Sequence, residues 1–470
     1  MKFLFSYLFL LTTFFSVVAQ ENNRPKVGLV LSGGGAKGFA HIGVLKVLEE
    51  QGVKIDYIGG TSMGAIIGGL YASGYTAHQL DSIFSTVDAD ALLQDYIPRT
   101  SKSFYEKRND EIYAIQLPFD DFKIGSPVSL SKGMYNYNLL NKLLAHVRYE
   151  HDFSKLSIPF LCIATDVVSG NQVVLEKGNL PQSILASGAF PSLYTPVEID
   201  GKLLIDGGVV NNYPVEEIRK KGVDIIIGVD VQDGMKDKSQ IKGITDVLMQ
   251  IANYGMYRGM EGKQLTTDIY IKPDISNYSV VTFDKGLEII QKGVEAAQDV
   301  LPALQKISSN HKMKSLPNYI TNDTIHIHSV QMNALNNYNK DYVFGKLGYF
   351  KDECVPFSKL EEGITNLNAT QNFSGINYSF EKADEGDVLK LDLKENPNNR
   401  LLKFGLHYDH LYKSGLLINV TQKKLLFKND VASLDMVFGD NIRYNLNYFV
   451  DNGFRWSFGF QSKLNKFKYN

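Results

Sequence analysis

A serine between two glycines is the residue of this sequence best suited to act as a nucleophile. Residues 60–64 read GTSMG, which places Ser62 at the centre of a G-x-S-x-G pattern. A short apolar run, 55–58, precedes the pattern, and a helix-forming run, 65–72, follows it. This order predicts a sharp strand-to-helix turn that exposes the hydroxyl beside the positive end of a helix dipole. The five residues alone fit a plain Gly/Ser turn equally well.

A glycine-rich loop, GGGAKG at residues 33–38, follows a predicted strand at 26–31 and precedes a predicted helix at 39–51. Consecutive glycines let several backbone N–H groups point at one spot, which suits an oxyanion hole. Lys37 would steady the loop or meet an anionic group of the substrate. The loop also fits the G-x-G-x-x-G pattern of dinucleotide-binding proteins, with Asp56 further along. That alternative stays open, although it leaves GTSMG unexplained.

The candidate base is Asp206, which ends an apolar strand within IDGG at residues 205–208. Strand ends are where α/β folds collect their sites, although an aspartate in an Asx turn would look the same. His41 is the histidine closest to the glycine loop, and we expect it to be a packed or solvent-edge residue. A pair of Ser62 and Asp206, 206 − 62 = 144 residues apart, requires the fold to bring them together.

The composition is that of a folded protein with a sizeable core. The chain has 470 residues, of which 44% are hydrophobic and 21% charged, enough for two to four domains. The net charge of −2 gives no electrostatic reason to expect nucleic-acid binding. Cys162 and Cys354 have neither the number nor the spacing of a disulfide framework or metal site. The pair His326 and His328 lacks a third ligand, so two surface histidines are expected rather than a metal.

The N-terminus predicts export from the cytoplasm. Lys2 precedes an apolar run, 3–18, that ends in the cleavage-type sequence VVA at residues 17–19. This run is shorter than the roughly 20 residues of a spanning helix, which favours a cleaved signal peptide over a membrane anchor. We therefore expect residues 1–19 to be a signal peptide and the mature chain to be exported.

The remaining chain divides into three parts with different patterns. In residues 20–316, apolar strands alternate with helices, which predicts an α/β layer structure with a mainly parallel sheet. Residues 317–396 predict a small α+β domain. Residues 397–470 contain short, aromatic-rich segments that alternate apolar with polar, as transmembrane β-hairpins and soluble sheets both do. About five such strands cannot close a membrane barrel, which needs at least eight. The predicted strands of the first and last parts are 26–31, 55–58, 158–165, 203–205, 223–231, 403–408, 416–420, 433–438, 443–449 and 455–460, and those of the second part are 324–330, 375–381 and 387–393. The predicted helices are 39–51, 65–72, 214–221, 241–262 and 284–307 in the first part, and 340–347 and 357–369 in the second.

Three ordered motifs, GGGAKG at 33–38, GTSMG at 60–64 and DGG at 206–208, resemble those of the patatin-like phospholipases. The segments IATDVVSG at 163–170 and LASGAFP at 185–191 are similar to blocks of the same family. The resemblance covers about residues 25–230. Residues 359–380 are similar to a polypeptide-transport-associated (POTRA) domain, and the strands after residue 401 look like the opening of an outer-membrane barrel. This combination resembles bacterial outer-membrane patatin phospholipases, in which the barrel is longer, so the sequence looks truncated.

The resemblance implies a three-layer α/β domain with a serine–aspartate dyad and no metal or cofactor. Ser62 would be the nucleophile and Asp206 the general base. The family hydrolyses ester bonds of phospholipids and other acyl lipids through an acyl-enzyme. The supporting residues that it implies are the loop residues Gly33, Gly34, Gly35, Ala36, Lys37 and Gly38 for the oxyanion, Gly60 and Gly64 for the elbow, and Gly207 and Gly208 for the turn after the base.

The implied partners are an acyl-lipid substrate and the outer membrane, with the lipase domain on the periplasmic rather than the extracellular side. A homodimer remains open, because the sequence does not determine the oligomeric state. Two alternatives also remain open. One is an outer-membrane module that binds lipid or polypeptide without turnover, and the other is a nucleotide-binding enzyme that uses the glycine loop.

Overall fold

A computed structural model describes the chain from residue 24 to residue 465 with short gaps. The gaps are residues 96, 103–105, 108–111, 121–122, 126–128, 130, 233, 236, 242, 244–246, 248–249, 252–253, 255–258, 314–323, 349, 411–412, 441 and 454–455. The expected signal peptide at 1–19 lies outside the described residues, as does most of the helix expected over 241–262.

Strands and helices are numbered in chain order. The strands are β1 (Val27–Leu31), β2 (Tyr57–Thr61), β3 (Ile115–Asp120), β4 (Lys123–Ile124), β5 (Phe160–Asp166), β6 (Gln172–Leu175), β7 (Val197–Ile199), β8 (Lys202–Asp206), β9 (Ile225–Val229), β10 (Ile269–Ile271), β11 (Thr324–Met332), β12 (Glu353–Pro356), β13 (Phe373–Ala383), β14 (Gly386–Glu395), β15 (Arg400–Asp409), β16 (Lys413–Lys423), β17 (Asp430–Gly439), β18 (Arg443–Val450) and β19 (Phe458–Asn465). The helices are α1 (Ala40–Glu50), α2 (Met63–Ala72), α3 (Ala77–Phe84), α4 (Ala89–Leu93), α5 (Met134–Leu143), α6 (Leu180–Ser187), α7 (Val215–Arg219), α8 (Met260–Leu265), α9 (Gly286–Asp299), α10 (Leu301–Lys306), α11 (Lys340–Leu347) and α12 (Phe357–Ala369).

The first sheet has the order β10-β9-β1-β2-β5-β8-β7, with β6 also paired to β5. The strands from β10 to β5 are parallel, which confirms the expected mainly parallel sheet. β8 runs antiparallel to β5 and brings Asp206 opposite Ala164. β2 places Thr61 opposite Ile163 on the other side of β5. The ends of β2 and β8 therefore lie at nearly the same height, separated by one strand.

Helices cover both faces of this sheet, so the domain has the expected three layers. Side chains alternate along the strands because successive residues point to opposite faces. On one face, Leu29 and Phe160 pack in a large buried cluster with α1, α2 and α9. On the other face, Val30 and Leu161 pack against Ile218 of α7 in a smaller buried cluster.

The helix predicted over 284–307 is two helices, α9 and α10. Val300 leaves the helical conformation between them, and Pro302 follows in the first turn of α10. Proline is tolerated in a first turn but disrupts a helix interior, which explains the division. Among the described residues, no helix is both long enough and apolar enough to cross a bilayer.

The second sheet has the order β12-β11-β14-β13 and packs against α11 and α12. The expected elements are present, and β12 is an additional edge strand that the sequence did not predict. This domain contacts the first one closely through α5 and the turn before it. Tyr137 donates a hydrogen bond to the Tyr378 carbonyl at 2.7 Å, and Lys132 donates to the Phe373 carbonyl at 2.8 Å. The expected domain boundary at 316/317 falls within 314–323, outside the described residues.

The third sheet has the order β19-β18-β17-β16-β15-β3-β4 and is open in the described residues. Its five C-terminal strands are antiparallel, as expected, although the last one is β19 rather than 455–460. β3 belongs to the first part of the chain and pairs with β15 through Leu401 to Phe404. Pro118 within β3 weakens a strand prediction, which explains why the sequence did not reveal this pairing.

This third sheet has its polar face buried and its apolar face outward. Asn419, Asp435 and Asn445 are at most 4% exposed, and both amides donate to the Asp435 carboxylate at 2.6 and 2.9 Å. On the opposite face, Phe438 and Phe460 are 47% and 63% exposed. A water-soluble sheet buries its apolar face and exposes its polar face, and this sheet does the opposite. The same arrangement is typical of membrane-barrel strands, whose apolar face contacts lipid and whose polar face lines the interior.

Candidate active site

Ser62 occupies the turn between β2 and α2 with a backbone conformation that residues with a Cβ rarely adopt. Its φ and ψ are 53° and −121°. A positive φ at a non-glycine residue is strained and is held only where the surroundings fix it, as at a nucleophile elbow. A Cβ on Gly64 would lie 2.2 Å from the Leu31 carbonyl, so only glycine lets α2 start this close to β1. Gly60, the other elbow glycine, lies within β2 opposite Cys162 of β5.

Ser62 and Asp206 meet across β5. The Ser62 Oγ donates a hydrogen bond to the Asp206 Oδ2 at 2.6 Å. The other carboxylate oxygen, Oδ1, accepts from the Gly208 amide at 2.7 Å. Asp206 is 4% exposed, and Gly207 and Gly208 continue from it in a 3₁₀ turn. The turn thus holds the Asp206 Oδ1 in place, and the Oδ2 accepts the hydrogen bond from the Ser62 hydroxyl.

Burial makes the Asp206 carboxyl a stronger base than an exposed aspartate. Loss of hydration raises its pKa to about 6, although the hydrogen bonds from Ser62 and Gly208 act in the opposite direction. A carboxylate with this pKa is ionised at neutral pH and accepts a proton more readily than one with an ordinary pKa.

The backbone amides of Gly34 and Gly35, at the start of the 3₁₀ turn Gly35–Phe39, have no hydrogen-bond partner among the described residues. The other amides of the loop are engaged. The Gly33 amide donates to Asn212, the Ala36 amide to the Val280 carbonyl at 2.8 Å, and the Lys37 amide to the Gly34 carbonyl at 3.2 Å. Gly38 lies inside the turn. The expected donor set of six residues thus narrows to two amides that could bind an oxyanion.

Asn212 connects this loop to the turn after Asp206. Its Oδ1 accepts from the Gly33 amide at 3.1 Å, and its Nδ2 donates to the Gly33 carbonyl at 3.2 Å. Asn212 is 5% exposed. Gly33 itself lies close to Ser62, because a Cβ there would be 2.9 Å from the Ser62 Cβ. Sequence reasoning missed Asn212, and its place in NNYP at 211–214 offers no chemical signal.

Ser187 is a second residue that the sequence did not identify. It ends α6 within the LASG segment. Its Oγ donates to the Ile163 carbonyl at 2.5 Å and accepts from the Ser62 amide at 3.0 Å. The strained elbow is therefore tied to β5 by a buried hydroxyl.

The two basic residues beside the loop do not face a substrate. The Lys37 side chain is 1% exposed, so of its two expected roles the contact with an anionic substrate group is excluded. His41 is fully buried and donates from Nε2 to the Ser32 carbonyl at 2.8 Å, as expected for a packed histidine. Burial lowers its pKa to about 4, so the imidazole is neutral and supports the loop.

The dinucleotide alternative does not fit the geometry. Asp56 precedes β2, whereas the glycine loop follows β1, and the two strands are parallel. Asp56 and the glycine loop therefore lie at opposite ends of these strands, roughly 16 Å apart along the strand direction. The Asp56 carboxylate is also paired with the Arg24 guanidinium at 2.5 Å.

Two further expectations concern metals and cysteines. The described residues contain no group of three or more His, Cys, Asp or Glu side chains arranged to hold a metal ion. Cys162 and Cys354 are both free thiols, the first buried and the second exposed. His328 pairs with Asp352 at 2.7 Å on a partly exposed surface.

Removing the Asn212 side chain is expected to lower turnover without weakening substrate binding. In Asn212→Ala, the loop loses its clamp and the Gly34 and Gly35 amides lose their alignment, so kcat should fall about 100-fold with KM changed less than about threefold. Kinetics on a soluble ester measure both constants. Asn333→Ala is the matched control, because Asn333 clamps the Leu393 backbone in the same two-bond way in the second domain. An equal loss of kcat in both variants would contradict the positioning role of Asn212.

Comparison with known families agrees with this geometry. Residues 29–219 match the family model for the patatin-like phospholipases, a range that contains the glycine loop, Ser62 and Asp206. The chain carries a patatin-like phospholipase domain. Residues 387–470, which include β15 to β19, match the OMP85 superfamily. The patatin-like domain is therefore joined in one chain to a sheet of the OMP85 type.

Curated relatives of the patatin-like domain include fungal lysophospholipases. The Lysophospholipase NTE1 of Kluyveromyces lactis is 30% identical over 315 residues, which are 62% of this chain and 20% of that protein. The Lysophospholipase NTE1 of Saccharomyces cerevisiae is 28% identical over 64% of this chain and 18% of that protein. The chain thus spans about a fifth of the length of these relatives.

Among solved structures, VipD from Legionella pneumophila aligns with 60% of this chain and 67% of its own, at 14% identity and a TM-score of 0.35. BamA from Haemophilus ducreyi lacking POTRA domains 1–3 aligns with 27% of this chain and 24% of its own, at 14% identity and a TM-score of 0.22.

Proposed function

We propose that this protein is a serine acyl hydrolase that cleaves ester bonds of phospholipids or lysophospholipids with a Ser62–Asp206 dyad. The observation that carries the proposal is the 2.6 Å hydrogen bond from the Ser62 hydroxyl to a buried carboxylate at a strained elbow. The patatin-like family match and the lysophospholipase relatives support the substrate class.

In the proposed reaction, the Asp206 carboxylate takes the Ser62 proton as the Oγ attacks the ester carbonyl. The Gly34 and Gly35 amides stabilise the oxyanion of the tetrahedral intermediate. Protonated Asp206 then gives its proton to the leaving alcohol, which departs and leaves an acyl group on Ser62. A water molecule, deprotonated by Asp206, attacks this acyl-enzyme, and the collapse of the second intermediate releases the fatty acid and restores Ser62.

We also propose that the protein is exported and acts at the outer membrane, with the patatin-like domain on the periplasmic side. The OMP85 match and the outward apolar face of the third sheet support this location. Residues 324–395, which precede β15 directly and contact the patatin-like domain, would serve as a POTRA-like connector between the lipase and the membrane.

The reaction class can be tested by the products that the purified chain forms from phosphatidylcholine and lysophosphatidylcholine. Mass spectrometry should show free fatty acid accumulating without release of phosphocholine. Binding of either lipid without any product would instead favour the alternative of a lipid-binding module without turnover. Release of phosphocholine would show attack at the phosphodiester and contradict acyl transfer.

The pH dependence of hydrolysis should report the ionisation of Asp206. The base must be charged to accept the Ser62 proton, so kcat/KM on a soluble ester should fall about tenfold for each pH unit below about pH 6 and level off above it. Because a carboxyl group ionises with almost no enthalpy, this apparent pKa should hardly move between low and high assay temperature. A marked decrease of the apparent pKa on warming would indicate a histidine base instead.

A further inference from the structure

Two hairpin turns at one end of the third sheet present large apolar side chains to solvent. In the turn 424–429, between β16 and β17, Leu425, Leu426 and Phe427 are 53%, 71% and 60% exposed. Between β18 and β19, where the structure describes residues 451–453 and 456–457, Trp456 is 88% exposed. We call these two segments the anchor turns. Exposed apolar residues that cluster in this way mark a contact surface rather than ordinary scatter.

The first anchor turn is held rigidly in this outward arrangement. The Asp430 carboxylate accepts hydrogen bonds from the backbone amides of Leu425, Leu426 and Phe427 at 2.7, 2.8 and 2.9 Å. Three amides on one carboxylate fix the backbone, so the apolar side chains cannot fold back onto the sheet by a simple loop movement. Exposure is therefore built into the turn.

The described residues of the second anchor turn are hydrogen-bonded to each other and to the first turn. The Asn452 amide donates to the Ser457 Oγ at 3.0 Å, and the Asn452 Nδ2 donates to the Trp456 carbonyl at 2.9 Å. The Asn429 Nδ2 of the first turn donates to the Asn452 Oδ1 at 2.8 Å. The two turns thus form one surface.

This surface lies at the end of the third sheet that contacts the second domain. Lys428 donates to the Asn336 carbonyl at 2.8 Å, and Lys346 pairs with Asp451 at 2.6 Å. The second domain in turn contacts the patatin-like domain through Tyr137 and Tyr378. The anchor turns therefore lie at the end of the third sheet that contacts the second domain, and the second domain contacts the patatin-like domain.

The anchor turns also continue the outward apolar face of the sheet. Leu416 and Phe438, which are opposite each other on β16 and β17, lie on this face near its far end. The strand from Leu416 to the first turn spans roughly 25 Å, close to the apolar band of an outer-membrane barrel. Lys428 is exposed beside the apolar side chains and adds a positive charge to this surface, while its Nζ donates to the Asn336 carbonyl of the second domain.

We propose that the anchor turns form a bilayer-interface anchor, with Leu425, Leu426, Phe427 and Trp456 in the headgroup–acyl boundary of the leaflet that faces the patatin-like domain. Aromatic and apolar side chains prefer this boundary. The anchor holds the catalytic domain against one leaflet. It rests on the proposed outer-membrane location but not on hydrolysis.

Trp456 is the only tryptophan of the sequence, so its fluorescence reports on the anchor turns without a label. The full chain is reconstituted into phosphatidylcholine vesicles with bromine either near the headgroup end or near the methyl end of the acyl chains. We expect quenching by the shallow bromine to exceed quenching by the deep bromine at least about twofold, as for an interfacial side chain. No quenching at either depth, or stronger quenching by the deep bromine, would overturn the proposal.

Substitution of the first turn tests whether its apolar side chains set this depth. The triple variant Leu425→Ser, Leu426→Ser and Phe427→Ser should lose at least about half of the shallow quenching, because the turn no longer gains from apolar burial. Leu265→Ser is the matched control, since Leu265 is 88% exposed on the patatin-like domain, and it should quench as the unmodified chain does. Equal quenching in the triple variant and the control would contradict the anchor.

Hydrolysis of a soluble short-chain ester, measured on the same samples, separates this proposal from the catalytic one. Quenching without hydrolysis would contradict the catalytic proposal alone. Hydrolysis with an unquenched Trp456 would contradict the anchor alone.

Discussion

Replacing Ser62 with alanine is expected to reduce ester hydrolysis by about 10⁴-fold or more. The variant lacks the atom that attacks the carbonyl, and the remaining groups only bind the substrate and its oxyanion. Initial rates on phosphatidylcholine and on a soluble ester measure the loss. Thermal unfolding should show that the fold is kept, since alanine removes a single half-buried hydroxyl.

The matched control is Ser73→Ala, because Ser73 is a buried serine just after the other end of α2. Its hydroxyl donates only to the Leu70 carbonyl of that helix, at 2.7 Å. This variant should hydrolyse both substrates at the unmodified rate. Full activity in Ser62→Ala would remove Ser62 as the nucleophile, whatever the distance to Asp206.

Replacing Asp206 with asparagine is expected to abolish hydrolysis and to stabilise the fold at neutral pH. Asparagine cannot accept the Ser62 proton, so the loss of kcat should be about 10³-fold or more. Burial raises the pKa of Asp206 to about 6, above the value of about 3.9 in an unfolded chain. The native state therefore bears a cost for the buried charge, and the neutral amide removes it.

The sign of this stability effect depends on pH. The folded-state pKa of about 6 lies above the unfolded-state value of about 3.9. Above about pH 6, the unfolding free energy of wild type should therefore be roughly 2–3 kcal/mol lower than that of Asp206→Asn. Between about pH 6 and pH 4, the wild-type carboxyl takes up its proton in the folded state, and the difference between the two proteins should close. Calorimetric or denaturant unfolding at neutral and mildly acidic pH measures both values.

Asp166→Asn is the contrasting control at the end of β5. Hydrogen bonds from Ser169 and Val168 lower the pKa of the Asp166 carboxyl, so its charged form is favoured in the folded state. This variant should not gain stability at neutral pH, and it should keep its activity. A gain in Asp166→Asn equal to that in Asp206→Asn would show that the effect does not arise from the buried charge.

The sequence predicted much of the site because each motif determines its own local structure. The apolar run before GTSMG and the glycines around Ser62 predict a strand-to-helix turn, and β2 and α2 form this turn with boundaries shifted by a few residues. The triple glycine predicts a loop with free amides, which the structure narrows to Gly34 and Gly35.

The meeting of Ser62 and Asp206 could not be derived from the strand-end rule. That rule applies to parallel strands, whereas β8 is antiparallel to β5, and Asp206 reaches the site because β8 ends at the height of Ile163 and Ala164. Asn212 and Ser187 were missed for another reason. Their roles arise from hydrogen bonds to backbone atoms far away in the chain, which no local pattern encodes.

The third sheet shows the same limit on a larger scale. Alternation of apolar and polar residues predicted its five C-terminal strands, and OMP85 similarity agrees with them. The addition of β3 depends on a segment nearly 300 residues earlier, with Leu402 opposite Leu117. Strand partners so distant in sequence are chosen by tertiary packing rather than by local propensity.

The most direct test of the dyad is to identify the atom that carries the acyl group during turnover. The chain is mixed with an excess of an activated long-chain ester, quenched in acid within the first turnovers and digested, and the peptide that contains Ser62 is analysed by mass spectrometry. We predict that this peptide gains the mass of one acyl group at Ser62 and that Asp206→Asn gains little or none in the same time. Turnover with an unmodified Ser62, or with the acyl group on another residue, would contradict the proposed mechanism.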